Sequence, residues 1–351
     1  MKQNRLRAFL RLKRNLISSL GYKPGRSVSL VRAEVPCDVS YEVITNYDKS
    51  FAIDIYDQRS EKILGHYFQE RNAYLLKNVI LEPKNGLMFN LNGQLIEEST
   101  NWPIFQMYNS FPWNPKRISQ KLDLHSAIFL SSSAFGHWLM EDLPLTIFAM
   151  NLDPNAPIIV ASNPPKYVKD FLKLAGREVL YLDGPVQVSS LLIIQKNQDS
   201  GWPHPKDLAT LNSFKPLAST ETSKSPFRKV YASRRGARRS PGNEELIESL
   251  FIEHGYEVHN LEKFDLKAEV HLMKETLILA GVHGSAHVNN IWMPSGGTLV
   301  DIVNENYWTE AGHRLAFLSG SRYKFLKYKG SYNASVNLDE LTEMIKSLES
   351  D

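Results

Sequence analysis

The chain has 351 residues, of which 42% are hydrophobic, 23% charged and 11% aromatic, with a formal net charge of +3. That length predicts two domains or one large α/β unit, and the composition excludes disordered, coiled-coil and collagen-like classes. The single cysteine, Cys37, excludes an intramolecular disulfide and leaves no CxxC pair for structural zinc, which fits a reducing compartment.

In chain order, residues 1–25 are expected to form a basic amphipathic helix. Leu6, Phe9, Leu10, Leu16, Ile17 and Leu20 follow helical spacing among six Lys and Arg side chains, and no acid occurs before Glu34. Residues 1–20 could therefore lie on an anionic membrane surface, or pack on their own domain with a solvated basic face. No apolar run reaches the roughly 18 residues that span a bilayer, and the N-terminus lacks the apolar core of a secretory signal. A β-rich opening follows, with strands expected in VSLVRAEV, YEVITNY, FAIDIYD, NAYLLKNVILEP and GLMFNLNGQLIEE. From about residue 125 the rhythm alternates: AIFL, HWLMEDLPLTIFAM, APIIVAS, PPKYVKDFLKLAG, EVLYLD. This alternation indicates a parallel sheet with crossover helices.

Residues 26–215 are assigned to an N-terminal, acceptor-side domain. Residues 216–227, within the Ser-, Thr- and Pro-rich FKPLASTETSKSPF, are read as a linker. A second α/β series fills residues 228–330. RKVYASR is a strand, and NEELIESLFIEHG a helix with Asn243 as N-cap and Gly255 as stop. YEVHNLE, TLILAG, GGTLVDIV and YKFLKYK are strands, AEVHLMKE and SAHVNNIWM helices. Residues 331–351 hold a C-terminal helix.

Three stretches carry candidate chemistry. In HWLMEDLP, His137 and Glu141 share a face of an apolar helix, where a polar pair must be satisfied or used. Glu141 is the candidate general base with His137 beside it; mutual satisfaction at a domain edge is the bland alternative. Pro144 is expected to kink or end this helix. In FRKVYASRRGARRS, six Arg and Lys accumulate with no acid between Glu221 and Glu244, and guanidinium forks match phosphate oxygens bidentately. A diphosphate or other polyanion is the expected ligand; nucleic acid is not, for want of an aromatic platform. In AGVHGSAHVNNIWMP, His283 and His287 have the i, i+4 spacing of zinc ligands, but no general-base glutamate lies between them. A strand running through Gly284 into a helix start favours an anion cradle instead, with His283 as an added donor and His287 and Asn289 as packing.

Taken together, HWLMEDLP, SRRGARRSPGNEELIESLFIEHGYEVHNLE and LILAGVHGSAHVNNIWMPSGGTLVDIV resemble glycosyltransferase family 61. The resemblance implies a GT-B fold, an α/β architecture of two Rossmann-like domains facing a cleft, here with a β-rich N-terminal portion. It also implies inversion at the anomeric carbon, no cofactor and no essential metal. It assigns Arg234 and Arg239 to the donor diphosphate, His283 and Gly284 to the nucleotide turn, Asp301 to a strand-end acid near the nucleoside, and Glu141 to the catalytic acid position. Arg235, Asn243, Ser285 and Asn289 complete the expected nucleotide-sugar site. Glu141 and Ser285 depart from the usual Asp and Ala, and Leu145 stands where Arg is frequent. The expected partners are a nucleotide-sugar donor, a UDP-sugar first, and a glycan or lipid-linked glycan acceptor, in a cytoplasmic enzyme of capsule or lipopolysaccharide synthesis docked at the inner membrane. A metal-dependent hydrolase and a non-enzymatic polyanion-binding module are the competing readings.

Overall fold

The computed structural model describes residues 41–49, 51–57, 62–68, 70–92, 95, 96, 99, 118–197, 200, 201, 203–219, 225–307 and 309–349. The expected N-terminal helix and the strand VSLVRAEV lie outside these residues.

The N-terminal part contains β1 (Tyr41–Asp48), β2 (Phe51–Asp57), β3 (Lys62–Phe68), β4 (Arg71–Glu82), β5 (Leu87–Phe89), β6 (Gln120–Leu122) and β7 (Ile128–Phe129). Then come α1 (Phe135–His137), a π-helical turn over Trp138–Asp142, α2 (Leu143–Leu152), β8 (Ile158–Ala161), α3 (Lys166–Ala175), β9 (Val179–Leu182) and β10 (Val186–Ile194). α4 (Pro205–Ser213) and α5 (Lys215–Ala218) follow. The main sheet runs β1-β4-β10-β7-β8-β9, with β5 on β4 and β6 on β10. It is mixed, because strands of the β-rich opening join the parallel strands that the alternation predicts. β7, β8, β9 and β10 are parallel, but β4 pairs antiparallel with β1, β5 and β10. β10 joins the two regimes at the centre of the sheet, and its unbroken apolar end, LLII, is buried.

Local chemistry accounts for the helices. α3 buries Val168, Phe171 and Leu172 on one stripe and ends at Gly176, whose φ of +62° supplies a left-handed cap. Arg177 donates to Met150 O at 2.6 Å and Asp153 O at 2.8 Å, satisfying carbonyls at the end of α2. Pro144 does not end its helix: it sits in the first turn of α2, where a missing N–H costs least, directly after the π turn. The start of the expected linker is also folded. Leu217 in α5 is fully buried, and Lys274 donates to Leu217 O and Ala218 O.

The C-terminal part contains β11 (Arg228–Ala232), α6 (Glu244–Glu253), β12 (Glu257–His259), α7 (Leu266–Lys274) and β13 (Thr276–Val282). A 3-10 helix over Ser285–Trp292 leads to β14 (Thr298–Asn304), α8 (Ala311–Leu318), β15 (Arg322–Tyr328) and α9 (Leu338–Glu349). All neighbours in the order β12-β11-β13-β14-β15 are parallel. β14 is buried along its whole length, as expected of a strand covered on both faces. The segment SAHVNNIWM forms a 3-10 rather than an α-helix, with His287 N–H donating to Gly284 O. Its two asparagines, Val288 and Ile291 have low α-helix propensity, so the tighter turn costs little.

One apolar cluster crosses both sheets' territories, joining Trp138, Leu139 and Phe171 to Leu279, Val288 and Trp292. The halves therefore meet along a packed seam. Gly136 lies in that seam, where a Cβ would make ordinary contact 3.4 Å from Val288 Cγ1 and 3.6 Å from Ser285 Cβ.

Candidate functional site

With strands numbered along the C-terminal sheet, its order is 2-1-3-4-5, and the order reverses between β11 and β13. Ligands of open α/β sheets bind in the crevice at that point, outside the carboxyl ends of the strands. A cavity of about 420 Å³ lies there, between the two halves of the chain. Arg234 and Arg235 follow β11, Asn260 and Glu262 follow β12, and Ser285 opens the 3-10 helix after β13. The facing wall is Phe135, Lys166 and Tyr167 from the N-terminal part, and Lys166 Nζ reaches Phe264 O across the gap at 2.6 Å.

The arginine stretch divides into three groups. Arg228 and Lys229 sit on β11 itself, with Arg228 paired to Glu257 and Glu275 and Lys229 near Glu349. Arg235 is tied to Glu245 and Glu248 of α6. The third group is Arg234, Arg238 and Arg239, of which Arg238 is exposed and Arg239 lies close enough to Arg234 to repel it. Arg234 lines the cavity and donates to His283 O, while Glu244 accepts from its backbone N–H at 2.7 Å and from Tyr231 Oη at 3.0 Å. Burial, then the charge of Arg239, holds the Arg234 pKa below its ordinary value. Two guanidinium groups that repel each other favour an anion between them. Arg239 stacks on Tyr307, 4.0 Å from the ring centroid.

Gly284 has φ of 168°, an extended conformation open to any residue. A side chain here would have to displace the Arg234 guanidinium, which occupies the place of a Cβ. Asn243 stands at the N-cap position of α6 but does not cap it; its side chain bonds Val336 N and O at 2.9 and 2.8 Å.

His283, His287 and Asp301 gather at the buried ends of β13 and β14, with candidate ligand atoms within 4.8 Å of one another. Asp301 is wholly buried and does not line the cavity, so it props the turn rather than meeting a nucleoside directly. Thr309 N–H donates to His283 Nε2 at 3.3 Å, which places the ring proton on Nδ1, donated to Asp301 at 2.9 Å. A metal on Nδ1 would push that proton to Nε2, against the Thr309 N–H. The donor set fits a proton-bonded prop better than an ion. Tyr323 Oη donates to Asp301 Oδ2 at 2.7 Å. Burial alone would raise the Asp301 pKa, but the two histidines and the bonds from His283 and Tyr323 hold it at about 2. His287 donates from Nε2 to Gly281 O at 3.1 Å, and burial pushes its pKa down to about 4. It supports the turn, as does Asn289, wholly buried with Nδ2 2.5 Å from Glu269 Oε1.

The His137 and Glu141 pair occupies another part of the seam. His137 Nδ1 lies 3.0 Å from Glu141 Oε1, bridging the π turn. Glu141 also accepts from Gly201 N–H at 2.7 Å and from Ser200 Oγ at 2.9 and 3.1 Å. Its side chain is 11% exposed, whereas that of His137 is 51% exposed. The hydrogen bond to Glu141 raises the His137 pKa, against desolvation that lowers it. Arg314 of α8 donates to Gly201 O at 3.3 Å, tying the C-terminal half to the loop that holds Glu141. The adjacent Asp142 turns the other way and is buried against Lys196 and Ser133.

Residues 135–300 match the model of the family Glycosyltransferase 61. Over this span the chain is similar to glycosyltransferase family 61. No curated protein matches the chain. The family implies glycosyltransferase activity in general, hence a donor sugar and an acceptor.

The glycosyltransferase 61 span includes the His137–Glu141 pair, the arginine loop and the Gly284 turn, and it ends one residue before Asp301. Ser200, Gly201 and Glu244 lie inside it and were invisible as site residues, because each acts by bonding a distant partner. Glu269 was legible in principle: an acid on the Leu266, Val270, Met273 stripe of α7, buried with them at the cavity wall. Thr309 and Arg314 lie beyond the matched span.

Proposed function

We propose that the protein is an inverting glycosyltransferase that uses a nucleotide-sugar donor, bound in the crevice between β11 and β13. One observation carries this reading: Arg234, with Arg239 beside it, faces the 3-10 helix start at a topological switch point. The diphosphate lies against these guanidinium groups and the Gly284 turn, which stabilise it as it leaves. Asn260 and Glu262, at the end of the next strand, stand where open α/β sheets hold a ribose. The two facing sheets support a GT-B arrangement, with donor and acceptor meeting at the seam.

His137 is the proton acceptor in this proposal, and Glu141 its positioning partner. The carboxylate is buried under donors from Gly201, Ser200 and His137, whereas the imidazole keeps Nδ1–H on Glu141 and presents Nε2 outward. The acceptor hydroxyl gives its proton to Nε2 while its oxygen bonds the anomeric carbon. The bond from that carbon to the diphosphate oxygen breaks with its electron pair, leaving the nucleoside diphosphate. No step requires a metal. This exchanges the roles that the sequence reading gave the pair.

A UDP-sugar, a glycan or lipid-linked acceptor, and a place in capsule or lipopolysaccharide synthesis at the cytoplasmic face of a membrane complete the proposal. The six Lys and Arg among residues 1–20, with no acid among them, support the membrane contact; among the described residues no helix is long and apolar enough to cross a bilayer. The test is titration calorimetry of UDP-sugars and UDP against the full chain and Arg234→Ala. Loss of a charge-assisted phosphate contact should weaken binding about 10- to 100-fold. Equal affinity in the variant sinks the donor site.

A further inference from the structure

We propose that Glu269 is a specificity residue of this cavity, a carboxylic acid that donates a hydrogen bond to a keto oxygen on the nucleobase of the bound donor. The inference rests on the donor reading above and concerns the end of the cavity away from the arginines.

Three observations place the base there. Glu269 lines the cavity yet is 6% exposed, on a helix packed between the 3-10 helix and α3. The walls around the same cavity include Leu261, Phe264, Phe135 and Tyr167, flat or apolar surfaces suited to the face of a base rather than to a phosphate. The two cavity arginines stand on the β11 loop, and Lys166 on the facing wall is engaged with Asp170 and Phe264 O, so a nucleotide with its diphosphate at Arg234 directs its base toward the β12 and α7 side.

The protonation state of Glu269 follows from its surroundings. Burial raises its pKa to about 8, opposed by the hydrogen bond from Asn289 and the charge of Lys166, and reinforced by Asp170. Asn289 faces it from the 3-10 helix, Lys166 and Asp170 from α3, and Glu262, Arg234 and Arg235 share its cavity. Lys166 is engaged with Asp170 and Phe264 O rather than with Glu269. Oε1 is occupied by Asn289 Nδ2, so the acidic proton belongs on Oε2. A neutral acid donates where a carboxylate can only accept. It therefore selects a base that presents an acceptor, and a keto oxygen meets that need in uracil or guanine, whereas the exocyclic edge of adenine presents a donor.

The experiment is calorimetric titration of UDP, GDP and ADP into the full chain, its Glu269→Gln and its Glu269→Ala forms, at about pH 6.5 and about pH 8.5. In the unsubstituted protein a keto-base nucleotide should bind more tightly than ADP. Its affinity should drop about fourfold between the two pH values as the acid ionises. Glu269→Gln, whose amide N–H₂ donates at either pH, should bind with no such drop, and Glu269→Ala should bind tenfold or more weakly at both. Nucleotide binding that keeps its affinity and pH profile in all three forms overturns the Glu269 assignment and leaves the donor site standing. Failure of every nucleotide to bind the folded, unsubstituted protein overturns the donor site, and this inference with it.

Discussion

Replacing Glu269 by glutamine should make the protein more stable at neutral pH. The carboxyl group has an ordinary value of 4.5 and is pushed up to about 8 by burial, so the folded state holds one proton more than the unfolded state across that window. The stability associated with the neutral acid is complete below the unfolded value and falls as pH rises toward the folded one. Each pH unit within the window costs about 1.4 kcal/mol. At pH 7 the accumulated cost is therefore on the order of 3 kcal/mol, a large part of a typical domain's stability. The amide has the same shape, can still accept from Asn289, and does not titrate. Urea unfolding of both proteins at pH 5, 6, 7 and 8 reads the difference directly. The advantage of Glu269→Gln should widen steadily with pH. Two stability curves that run parallel would refute both the burial argument and the neutral state of this acid.

Glu141→Gln should lower kcat by about 100-fold with little change in donor affinity, as loss of a general-base partner does, and the assay is steady-state transfer across pH. Glu141 raises the His137 pKa, so removing the charge should move the acid limb of the rate profile to lower pH; an unmoved limb would show that His137 is not the proton acceptor. His137→Gln should abolish transfer while nucleotide binding survives. The carboxyl of Asp301, held at about 2, contributes about 2 kcal/mol that is present above its ordinary value of 3.8 and lost as pH falls toward 2. Asp301→Asn should remove that acid dependence in thermal denaturation. Asp207→Ala should cost about 3–5 kcal/mol, because Arg71 would lose a buried partner 2.8 Å away.

Periodicity made the regular elements legible, and particular residues show where it stopped. β13 and β14 were clear because each is a short, largely apolar run, and β11 because its β-favouring Val230 and Tyr231 run into the SRRG turn. α8 was not, because Gly312, His313 and Arg314 interrupt its apolar pattern, although its buried positions are Gly312, His313, Leu315 and Ala316. The antiparallel pairing of β4 with β10 joins segments more than 100 residues apart, and local pattern does not record register. Within the site, Arg234 lines the cavity as its type suggests, whereas His283, expected as a phosphate donor, spends Nδ1 on Asp301 and accepts from Thr309 N–H at Nε2. Asn243 and Asp301 were placed near the ligand on type and position, yet one clasps Val336 and the other is sealed behind His283. A side chain's partner decides between those roles, and partner identity is a tertiary fact.

The Asn243 clasp also concerns how the gene can be handled. Gly242 packs so closely on the next strand of chain that a Cβ would stand 2.7 Å from Asn333 O, and Asn243 holds Val336 through both backbone groups. The arginine loop is thus buttoned to the segment that leads into α9. Trimming the last twenty residues, an innocuous edit by sequence, would unfasten a loop nearly a hundred positions upstream. Expression clones should keep that tail whole and carry any affinity tag behind a spacer.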